Sequence, residues 1–276
     1  MPDYYAGRAA VITGAGSGIG RALALDLAAR GSCLALADLD GDAVEQTARA
    51  CRELTSTVEH AQLDVTDRAA VTTYATTVAE RLGQVEAVFA VAGVIHTGSL
   101  LRSDLADFDH IISVNLLGMV NTAKAFLPHL IASGRGHLVT MSSAYGFLAA
   151  PYSTAYNASK FAVRGFSEAL RQELRLQGHP VTVTCVFPGA IDTAIMRKGT
   201  FAPGIDPAAA IKRFAAMART DVASAAAAIL RGTARGRSQV LIGSDAKRAW
   251  LVVRLLGSAY QRVVPWLVRR RSAETT

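Results

Sequence analysis

The sequence contains little cysteine. Its three cysteines, Cys33, Cys51 and Cys185, are odd in number, and no two of them have C-x-x-C spacing. A disulfide framework, a zinc site and other metal sites are therefore not expected, and a reducing compartment such as the cytoplasm fits this composition. The N-terminus also lacks a positively charged segment followed by a long apolar run, so no signal peptide is predicted.

Acidic residues are absent from one stretch near the C-terminus. Residues 247–271 contain seven of the 29 Lys and Arg residues and no Asp or Glu. Residues 1–246 contain the other 22 basic residues and 21 acidic ones, so this part of the chain is nearly neutral. A nucleic-acid partner needs a broad basic surface and is therefore not expected.

Short apolar runs alternate along the chain with segments of helical periodicity. This alternation predicts repeated βαβ units and an α/β fold with a doubly wound parallel sheet. The 276 residues are enough for one large domain, which we predict over 1–245, followed by a helical tail over 246–276. The predicted strands are 9–13, 32–37, 58–63, 85–91, 137–142, 181–187 and 239–242, and the predicted helices are 21–30, 42–54, 67–82, 104–133 and 152–177.

A glycine-rich turn follows the first predicted strand. Gly14, Gly16, Gly18 and Gly20 lie between that strand and a helical segment. This is the context of a turn that binds a pyrophosphate, because glycines let the backbone approach the phosphates and the helix N-terminus supplies N–H donors. The alternative is a glycine-rich turn without a ligand.

A carboxylate, Asp38, ends the second predicted strand about 20 residues after the glycine turn. At this position it can accept hydrogen bonds from both hydroxyls of an adenosine ribose, and it would repel a 2′-phosphate. Neither Leu39 nor Ser17 in the turn is basic, so NAD is favoured over NADP. The alternative is that Asp38, together with Asp40, caps the following helix.

Tyr156 and Lys160 are four residues apart, which places both side chains on one face of a predicted helix. An ammonium beside a phenol favours the phenolate and lowers its pKa, so the pair can exchange a proton with an alcohol or a carbonyl oxygen. Ser143, at the end of a predicted strand, can hold the same oxygen by a hydrogen bond. The alternative is an ordinary surface Tyr and Lys.

Together, these motifs resemble the short-chain dehydrogenase/reductase family, whose members are single-domain Rossmann-fold oxidoreductases. The resemblance covers about residues 6–245 and lies in the order and spacing of several short motifs. One departure is Ala90-Val91-Ala92-Gly93, where the family often has Asn-Asn-Ala-Gly. The matching positions are Thr13, Gly14, Gly18, Ile19, Gly20, Asp64, Val65, Ala92, Gly93, Asn115, Ser143, Tyr156, Lys160, Pro188, Gly189 and Thr193.

The resemblance implies a role for each matching position. Tyr156 would be the catalytic acid/base, Lys160 would lower its pKa and bind the nicotinamide ribose, Ser143 would position the substrate oxygen, and Asn115 would hold a water of a proton relay. The implied coenzyme-binding residues are Gly14, Ser17, Gly18, Ile19, Gly20, Asp38, Asp64, Val65, Ala92, Gly93, Tyr156, Lys160, Pro188, Gly189, Ile191 and Thr193.

The segments expected to form the substrate wall, 144–152 and 190–217, are mostly apolar. We expect a lipophilic secondary alcohol or ketone of steroid, retinoid or fatty type, with a lid formed by 194–218, and we see no basic cluster obviously placed for an anionic group. The alternative is that these residues pack on another subunit or on the lid. His96 is expected in a solvent-exposed loop, and a position in the pocket wall is the alternative. The predicted pocket residues are Tyr145, Phe147, Tyr152 and Met196.

The tail alternates basic and apolar residues with helical periodicity over 247–271. A basic amphipathic helix with tryptophans suits an anionic membrane surface, and packing on a partner subunit is the alternative.

The family resemblance implies a homodimer or homotetramer through the helices predicted at 104–133 and 152–177. Two other functions stay open, an NADP-dependent carbonyl reductase and a nucleotide-sensing protein without turnover.

Overall fold

A parallel sheet of seven strands forms the centre of the molecule in a computed structural model that describes residues 3–265. The strand order is β3-β2-β1-β4-β6-β7-β9, so the direction of winding reverses between β1 and β4. The strands are β1 (Ala9–Thr13), β2 (Cys33–Asp38), β3 (Val58–Gln62), β4 (Ala87–Ala90), β6 (Gly136–Met141), β7 (Val181–Pro188) and β9 (Gln239–Ile242), with a separate two-stranded pair of β5 (His96–Thr97) and β8 (Thr200–Phe201).

Helices cover both faces of this sheet and produce two apolar cores, one on each side. All residues of β1, β4 and β6 are buried, which is the pattern of parallel strands covered on both faces. The helices are α1 (Gly18–Ala29), α2 (Gly41–Arg52), α3 (Arg68–Leu82), α4 (Leu105–Ile112), α5 (Met119–Ala132), α6 (Thr154–Leu176), α7 (Pro207–Met217), α8 (Val222–Ala234) and α9 (Ser244–Leu256).

The predicted α/β class and doubly wound parallel sheet are confirmed, and the first and last strands have the predicted bounds. The fourth strand, Ala87–Ala90, is shorter than its apolar run over 85–91, although the Val91 N–H still donates a hydrogen bond of 3.2 Å to the carbonyl oxygen of Thr13. An apolar run in the sequence indicates buried residues, and it can therefore be longer than the strand that it predicts.

The helix predicted over 104–133 is not one regular helix. A π turn over Ser113–Gly118 separates α4 from α5 and contains Asn115. The whole segment Leu105–Ala132 is long and apolar enough to span a membrane by length and composition, but it packs on the sheet with Phe126 and Leu130 fully buried. Wide turns of this kind occur often at functional sites.

The segment predicted to be irregular, 194–218, contains α7 and β8. Asp206 caps α7 by accepting hydrogen bonds from the N–H groups of Ala208 and Ala209, and Pro207 occupies the first turn. A capping Asp followed by Pro is a helix-start signal, so the sequence held the information for this helix.

Helix α9 spans the predicted boundary between the domain and the tail. Ala246 is fully buried, and the hydroxyl of Tyr260, which is 7% exposed, accepts a hydrogen bond of 3.1 Å from the Ala149 N–H. The described part of the tail is therefore packed on the domain. The tail residues 266–271 lie outside the described residues.

Phe147, which the sequence predicts as a pocket residue, lies in the core instead. Its side chain is 4% exposed, and its ring centroid is 5.5 Å from that of Phe187 at the end of β7. The reason is the short 3₁₀ turn at Ala144–Gly146, which places Phe147 under the loop, whereas Tyr145 faces the cleft.

Phe147→Ala should lower the free energy of unfolding by about 3–5 kcal/mol, because it removes a buried ring and leaves a cavity. Denaturant titration followed by circular dichroism measures this loss. Leu101→Ala is the matched control, since Leu101 is 95% exposed, and it should change the free energy by no more than about 0.5 kcal/mol. An unfolding midpoint for Phe147→Ala equal to that of the control would contradict the core assignment.

Candidate active site

One large cleft lies at the carboxyl ends of the strands, where β1 and β4 lie side by side and the winding reverses. Open α/β sheets bind their ligands at this position. The volume of the cleft is about 1390 Å³, more than the roughly 300–1,000 Å³ of a typical small-molecule pocket. The cleft is therefore large enough for a dinucleotide and a second molecule.

Most of the site residues predicted from the sequence line this cleft, with the exceptions of Asn115 and Phe147. The structure thus brings together residues that are as far apart as 14 and 196 in the sequence. Those lining it are Gly14, Ser17, Gly18, Ile19, Gly20, Asp38, Asp64, Val65, Ala92, Gly93, Ser143, Tyr145, Tyr152, Tyr156, Lys160, Pro188, Gly189, Ile191, Thr193 and Met196.

The glycine turn has the shape that a pyrophosphate site requires. Gly14 has a φ of +74°, and a Cβ there would lie 2.7 Å from the backbone nitrogen of Ala92. A Cβ on Gly20 would overlap the carbonyl oxygen of Gly14. Ser17 precedes α1 in extended conformation, and its side chain makes no capping hydrogen bond, so the N–H groups of the first turn are left for another acceptor. These residues fit a dinucleotide.

Asp38 and Asp40 have different roles. Asp40 caps α2 by accepting a hydrogen bond of 3.1 Å from the Ala43 N–H, whereas Asp38 accepts one of 2.8 Å from the Gly16 N–H in the glycine turn. Asp38 is therefore not the cap of the helix and remains at the cleft wall. A basic group does reach this end of the cleft, because Lys198 Nζ lies 3.3 Å from Asp40 Oδ2 and contributes to lowering the pKa of Asp40, after the Ala43 hydrogen bond.

Tyr156 and Lys160 lie one turn apart on α6, and both side chains are buried. Lys160 Nζ lies 5.4 Å from the centre of the Tyr156 ring and donates a hydrogen bond of 2.9 Å to the carbonyl oxygen of Met141, the last residue of β6. Ser143 follows that strand, and its hydroxyl oxygen accepts a hydrogen bond of 3.1 Å from the Tyr145 N–H. The end of β6 thus positions both the lysine and the serine.

Burial dominates the electrostatics of this pair. It raises the pKa of Tyr156 to about 12, against the lowering effect of a hydrogen bond with Ser143, and it lowers the pKa of Lys160 to about 8. The Tyr-Lys spacing predicts the opposite direction for Tyr156. The reason for the difference is that both groups are desolvated and the ammonium is bonded to a backbone carbonyl, not to the phenol.

Asn115 lies behind the cleft wall. Its amide exchanges two hydrogen bonds with the backbone of Val94, of 2.8 and 2.9 Å, and donates a third of 3.1 Å to Ser159 Oγ on α6. A Cβ on Gly93 would lie 3.1 Å from Asn115 Oδ1 and 3.5 Å from Lys160 Nζ. Because Gly93 has no side chain, the asparagine and the lysine approach each other at this point.

An apolar cluster surrounds the phenol of Tyr156 on the substrate side. Its buried members are Ile95, Tyr156, Met196 and Ala210, and partly buried side chains pack on it from the segments after β6 and β7. Tyr152 lies at the cleft mouth, 53% exposed and with a φ of +62°. The partly buried members are Tyr145, Ile195, Phe201, Ile205, Ile211 and Phe214.

The prediction of an exposed His96 is wrong, because this side chain is only 4% exposed. Nδ1 lies 2.7 Å from Thr200 Oγ1 in β8, and Nε2 lies 2.8 Å from Ser103 Oγ. Asp107 Oδ1 lies 3.6 Å from Nδ1. His96 therefore attaches β8, and with it the segment before α7, to the domain, and it does not line the cleft.

Sequence reasoning missed Asp245 as a site residue. Its carboxylate accepts a hydrogen bond of 2.7 Å from the Ala190 N–H and fills the space beside Gly189, where a Cβ would overlap it. It thereby fixes the backbone that follows β7. No local pattern marks this role, since it depends on the packing of α9 against a strand end some 55 residues earlier.

Comparison with known sequences identifies relatives along most of the chain. The model of the family described as short chain dehydrogenase matches residues 8–201. The chain is 46% identical over 261 residues to the protein named "Putative oxidoreductase SadH" from Mycobacterium tuberculosis, covering 94% of this chain and 95% of that protein. It is 34% identical over 210 residues to human estradiol 17-beta-dehydrogenase 11, covering 75% of this chain and 70% of that protein.

Solved structures show the same architecture. A short-chain dehydrogenase/reductase from Burkholderia phymatum in complex with NAD has a TM-score of 0.85 and 29% identity, covering 95% of this chain and 96% of that one. An alcohol dehydrogenase from Thermococcus sibiricus complexed with 5-hydroxy-NADP has a TM-score of 0.70 and 29% identity, covering 85% and 95%. The fold, the cleft and these similarities together establish that the chain belongs to the short-chain dehydrogenase/reductase family of oxidoreductases.

Proposed function

We propose that this oxidoreductase transfers a hydride between NAD(H) and a lipophilic secondary alcohol or ketone, with Tyr156 as the acid/base. The observation that carries the proposal is the position of the Tyr156 hydroxyl. It lies in an apolar cluster, in contact with Ser143, within the same cleft as the glycine turn and Asp38. A polar reacting centre in an apolar wall suits a molecule that is apolar except at the carbon to be oxidised or reduced.

The coenzyme would lie along the glycine turn. The N–H groups at the start of α1 would hold the pyrophosphate, Asp38 would accept hydrogen bonds from the adenosine ribose, and Asp64 and Val65 would contact the adenine. When bound, NAD supplies the hydride acceptor, and NADH supplies the hydride donor. The nicotinamide half of the coenzyme would lie in the same cleft, along Ala92, Gly93, Pro188, Gly189, Ile191 and Thr193.

Tyr156 and Ser143 would handle the substrate oxygen. In the reducing direction the phenol donates its proton to the carbonyl oxygen, and the Ser143 hydroxyl holds that oxygen in place. In the oxidising direction the phenolate takes the proton of the alcohol. A pKa near 12 keeps the phenol protonated at neutral pH, so the site without ligands is prepared for reduction. The ammonium of Lys160 and a water near Asn115 would carry the proton to solvent.

The two directions should differ in their pH dependence. Alcohol oxidation needs the phenolate and should accelerate between about pH 7 and 9, whereas ketone reduction needs the phenol, whose pKa is about 12, and should not accelerate over that range. Measuring kcat/KM against pH in both directions with a medium-chain 2-alkanol and its ketone tests this.

Tyr156→Phe should lower kcat roughly 10²-fold to 10⁴-fold in both directions, because it removes the proton donor and keeps the ring. The dissociation constant of NAD, measured by calorimetry, should change little. Retained turnover in Tyr156→Phe would remove the tyrosine from its proposed role. Absence of turnover in the unmodified protein, with NAD still bound, would favour a nucleotide-sensing protein.

NAD is the proposed coenzyme because Asp38 lies at the end of β2 with its carboxylate on the cleft wall. The opposing feature is Lys198, which reaches Asp40 nearby and could receive a 2′-phosphate. We expect saturating NAD to raise the melting temperature, by an amount that corresponds to about 2.7 kcal/mol at 100 times its dissociation constant, and NADP to raise it much less.

Asp38→Asn should reduce the difference between the two coenzymes, because it removes the charge that repels the 2′-phosphate. Lys198→Ala is the matched variant. If NADP stabilises the unmodified protein more than NAD does, and Lys198→Ala abolishes that preference, the basic group determines the coenzyme and the proposal for Asp38 fails.

We also propose that α9 binds an anionic membrane surface. Leu251 is 52% exposed and Leu255 is 75% exposed, beside the exposed basic residues Lys247 and Arg254. An exposed apolar stripe flanked by basic residues suits the interface of an anionic bilayer, in which a lipophilic substrate would be dissolved. The enzyme itself would be cytoplasmic.

The double variant Leu251→Gln/Leu255→Gln should reduce sedimentation with phosphatidylserine-containing vesicles and leave the melting temperature nearly unchanged, since both side chains are exposed. Leu101→Gln, at a 95% exposed position elsewhere, is the control. Equal sedimentation of both variants and the unmodified protein would contradict membrane binding through α9.

A homo-oligomer is the remaining proposal. The two segments at its proposed interface, 104–133 and α6, carry exposed apolar side chains, with Leu117 in the π turn 38% exposed, and Phe161 39% and Leu176 88% exposed on α6. We expect a second copy of the chain to pack on these residues, in a dimer or a tetramer.

A further inference from the structure

Three arginines line the cleft without a carboxylate partner. Arg213, Arg219 and Arg248 belong to the cleft wall, and none of them forms an ion pair within residues 3–265. The fourth strongly basic group in the wall outside the catalytic pair, Lys198, is paired with Asp40. Guanidinium groups that are accessible to solvent and have no ion-pair partner are available to bind an anionic ligand in the cleft.

Arg213 lies on the face of α7 that forms the substrate wall. Ala210, Arg213, Phe214 and Met217 follow the i, i+3, i+4, i+7 spacing of one helical face, and all four line the cleft. Ala210 and Phe214 belong to the apolar cluster around Tyr156. Arg213 therefore borders the substrate half of the cleft, next to the apolar side chains that surround the reacting centre.

Arg219 and Arg248 are both close in sequence to contacts with the backbone that follows β7. Thr220, the neighbour of Arg219, forms a parallel bridge with Ile191. Asp245, one turn before Arg248 on α9, accepts the hydrogen bond from the Ala190 N–H. The segment after β7 thus connects the α7 side and the α9 side of the cleft, and each side contributes an arginine.

The acidic residues of the cleft wall differ from the three arginines, because their carboxylates have hydrogen-bond donors nearby. Asp38, Asp40 and Asp64 line the end where the adenosine is proposed, and each accepts hydrogen bonds from neighbouring groups. The fourth, Asp245, lies beside the backbone that follows β7 and accepts the hydrogen bond from the Ala190 N–H. Arg213 on the substrate wall, with Arg219 and Arg248 near the backbone that follows β7, therefore supplies positive charge that no carboxylate of the described residues neutralises by an ion pair.

We propose that the substrate is an anionic amphiphile, a lipophilic alcohol or ketone with a carboxylate or phosphate at the end remote from the reacting carbon. This inference rests on the proposed function. The chain would lie in the apolar cluster with its reacting carbon at Tyr156, and the anion would lie among Arg213, Arg219 and Arg248. Guanidinium groups bind both anions by paired N–H···O hydrogen bonds.

The test compares three ketones with the same chain, 2-undecanone, 10-oxoundecanoate and 10-oxoundecyl phosphate, together with shorter homologues of each. We expect a lower KM and a higher kcat/KM for the anionic members beyond a threshold chain length, because the anion must reach the arginines while the carbonyl stays at Tyr156. The preference should weaken at high salt, since the three side chains are accessible to solvent. The two anions distinguish a carboxylate from a phosphate as the natural end group.

We expect a smaller preference for the anionic ketones in the triple variant Arg213→Gln/Arg219→Gln/Arg248→Gln. The ratio of kcat/KM for an anionic ketone to kcat/KM for the neutral ketone should fall roughly 10-fold to 100-fold. The kcat/KM of the variant for 2-undecanone, measured in parallel, is the reference value from which the preference is calculated. Arg175→Gln, on the exposed end of α6, is the matched control and should keep the full preference. Single variants then show which arginine contributes most.

Equal or better turnover of 2-undecanone by the unmodified enzyme at every chain length would overturn the inference and leave the proposed function intact. A triple variant that binds NAD more weakly and keeps its ketone selectivity would also overturn it, because the arginines would then serve the coenzyme. No turnover of any ketone, with NADH bound, would reject the proposed function and the inference with it.

Discussion

A buried ammonium group determines the arrangement of the catalytic wall. Lys160 is 3% exposed and satisfies its charge with the carbonyl oxygen of Met141, so α6 is held against the end of β6. Burying an unpaired cation is costly, and this hydrogen bond partly offsets that cost because the last carbonyl of the strand points out of the sheet ladder into the cleft. The same contact places Tyr156 one turn away, beside Ser143. The desolvation that lowers the pKa of Lys160 also raises that of Tyr156, so position and proton affinity have one physical cause.

The substrate wall depends on polar contacts between segments that are far apart in the sequence. His96 holds β8 through Thr200, and Asp245 holds the backbone after β7 through the Ala190 N–H. Lys198 reaches across to Asp40 on the coenzyme side, in an exposed ion pair that contributes little to stability. The His96 contact is buried, and the Asp245 contact is made to the backbone. The ion pair between Lys198 and Asp40 is exposed to water. The wall is therefore held more firmly at Thr200 and Ala190 than at the exposed ion pair between Lys198 and Asp40.

Local signals in the sequence predicted the sheet, the glycine turn and the Tyr156–Lys160 pair, because each depends on periodicity or spacing within a few residues. Phe147 shows where such signals fail: its apolar neighbours suggest a pocket, and the short turn before it directs the ring into the core. His96 fails for a related reason, since its burial results from partners at positions 103 and 200. Asp245 and the three cleft arginines come to line one cleft only through the packing of α7, α9 and the segments beside them. The sequence pattern therefore does not show in which direction a side chain points, or which distant residues it contacts.

The cleft combines two electrostatic environments in one volume. Asp38, Asp40 and Asp64 line the end where the adenosine is proposed, and three arginines without an ion-pair partner among the described residues line the same cleft. The side chains that pack around Tyr156 are apolar, so a reacting carbonyl at the proposed position would be surrounded by little competing charge. Helix α9 forms part of the substrate wall through Arg248 and Ala249 and exposes Leu251 and Leu255 on another face. In the two proposals, α9 would contact an anionic bilayer through the face that carries Leu251 and Leu255, and an anionic substrate through Arg248, so positive charge on this helix would favour both contacts.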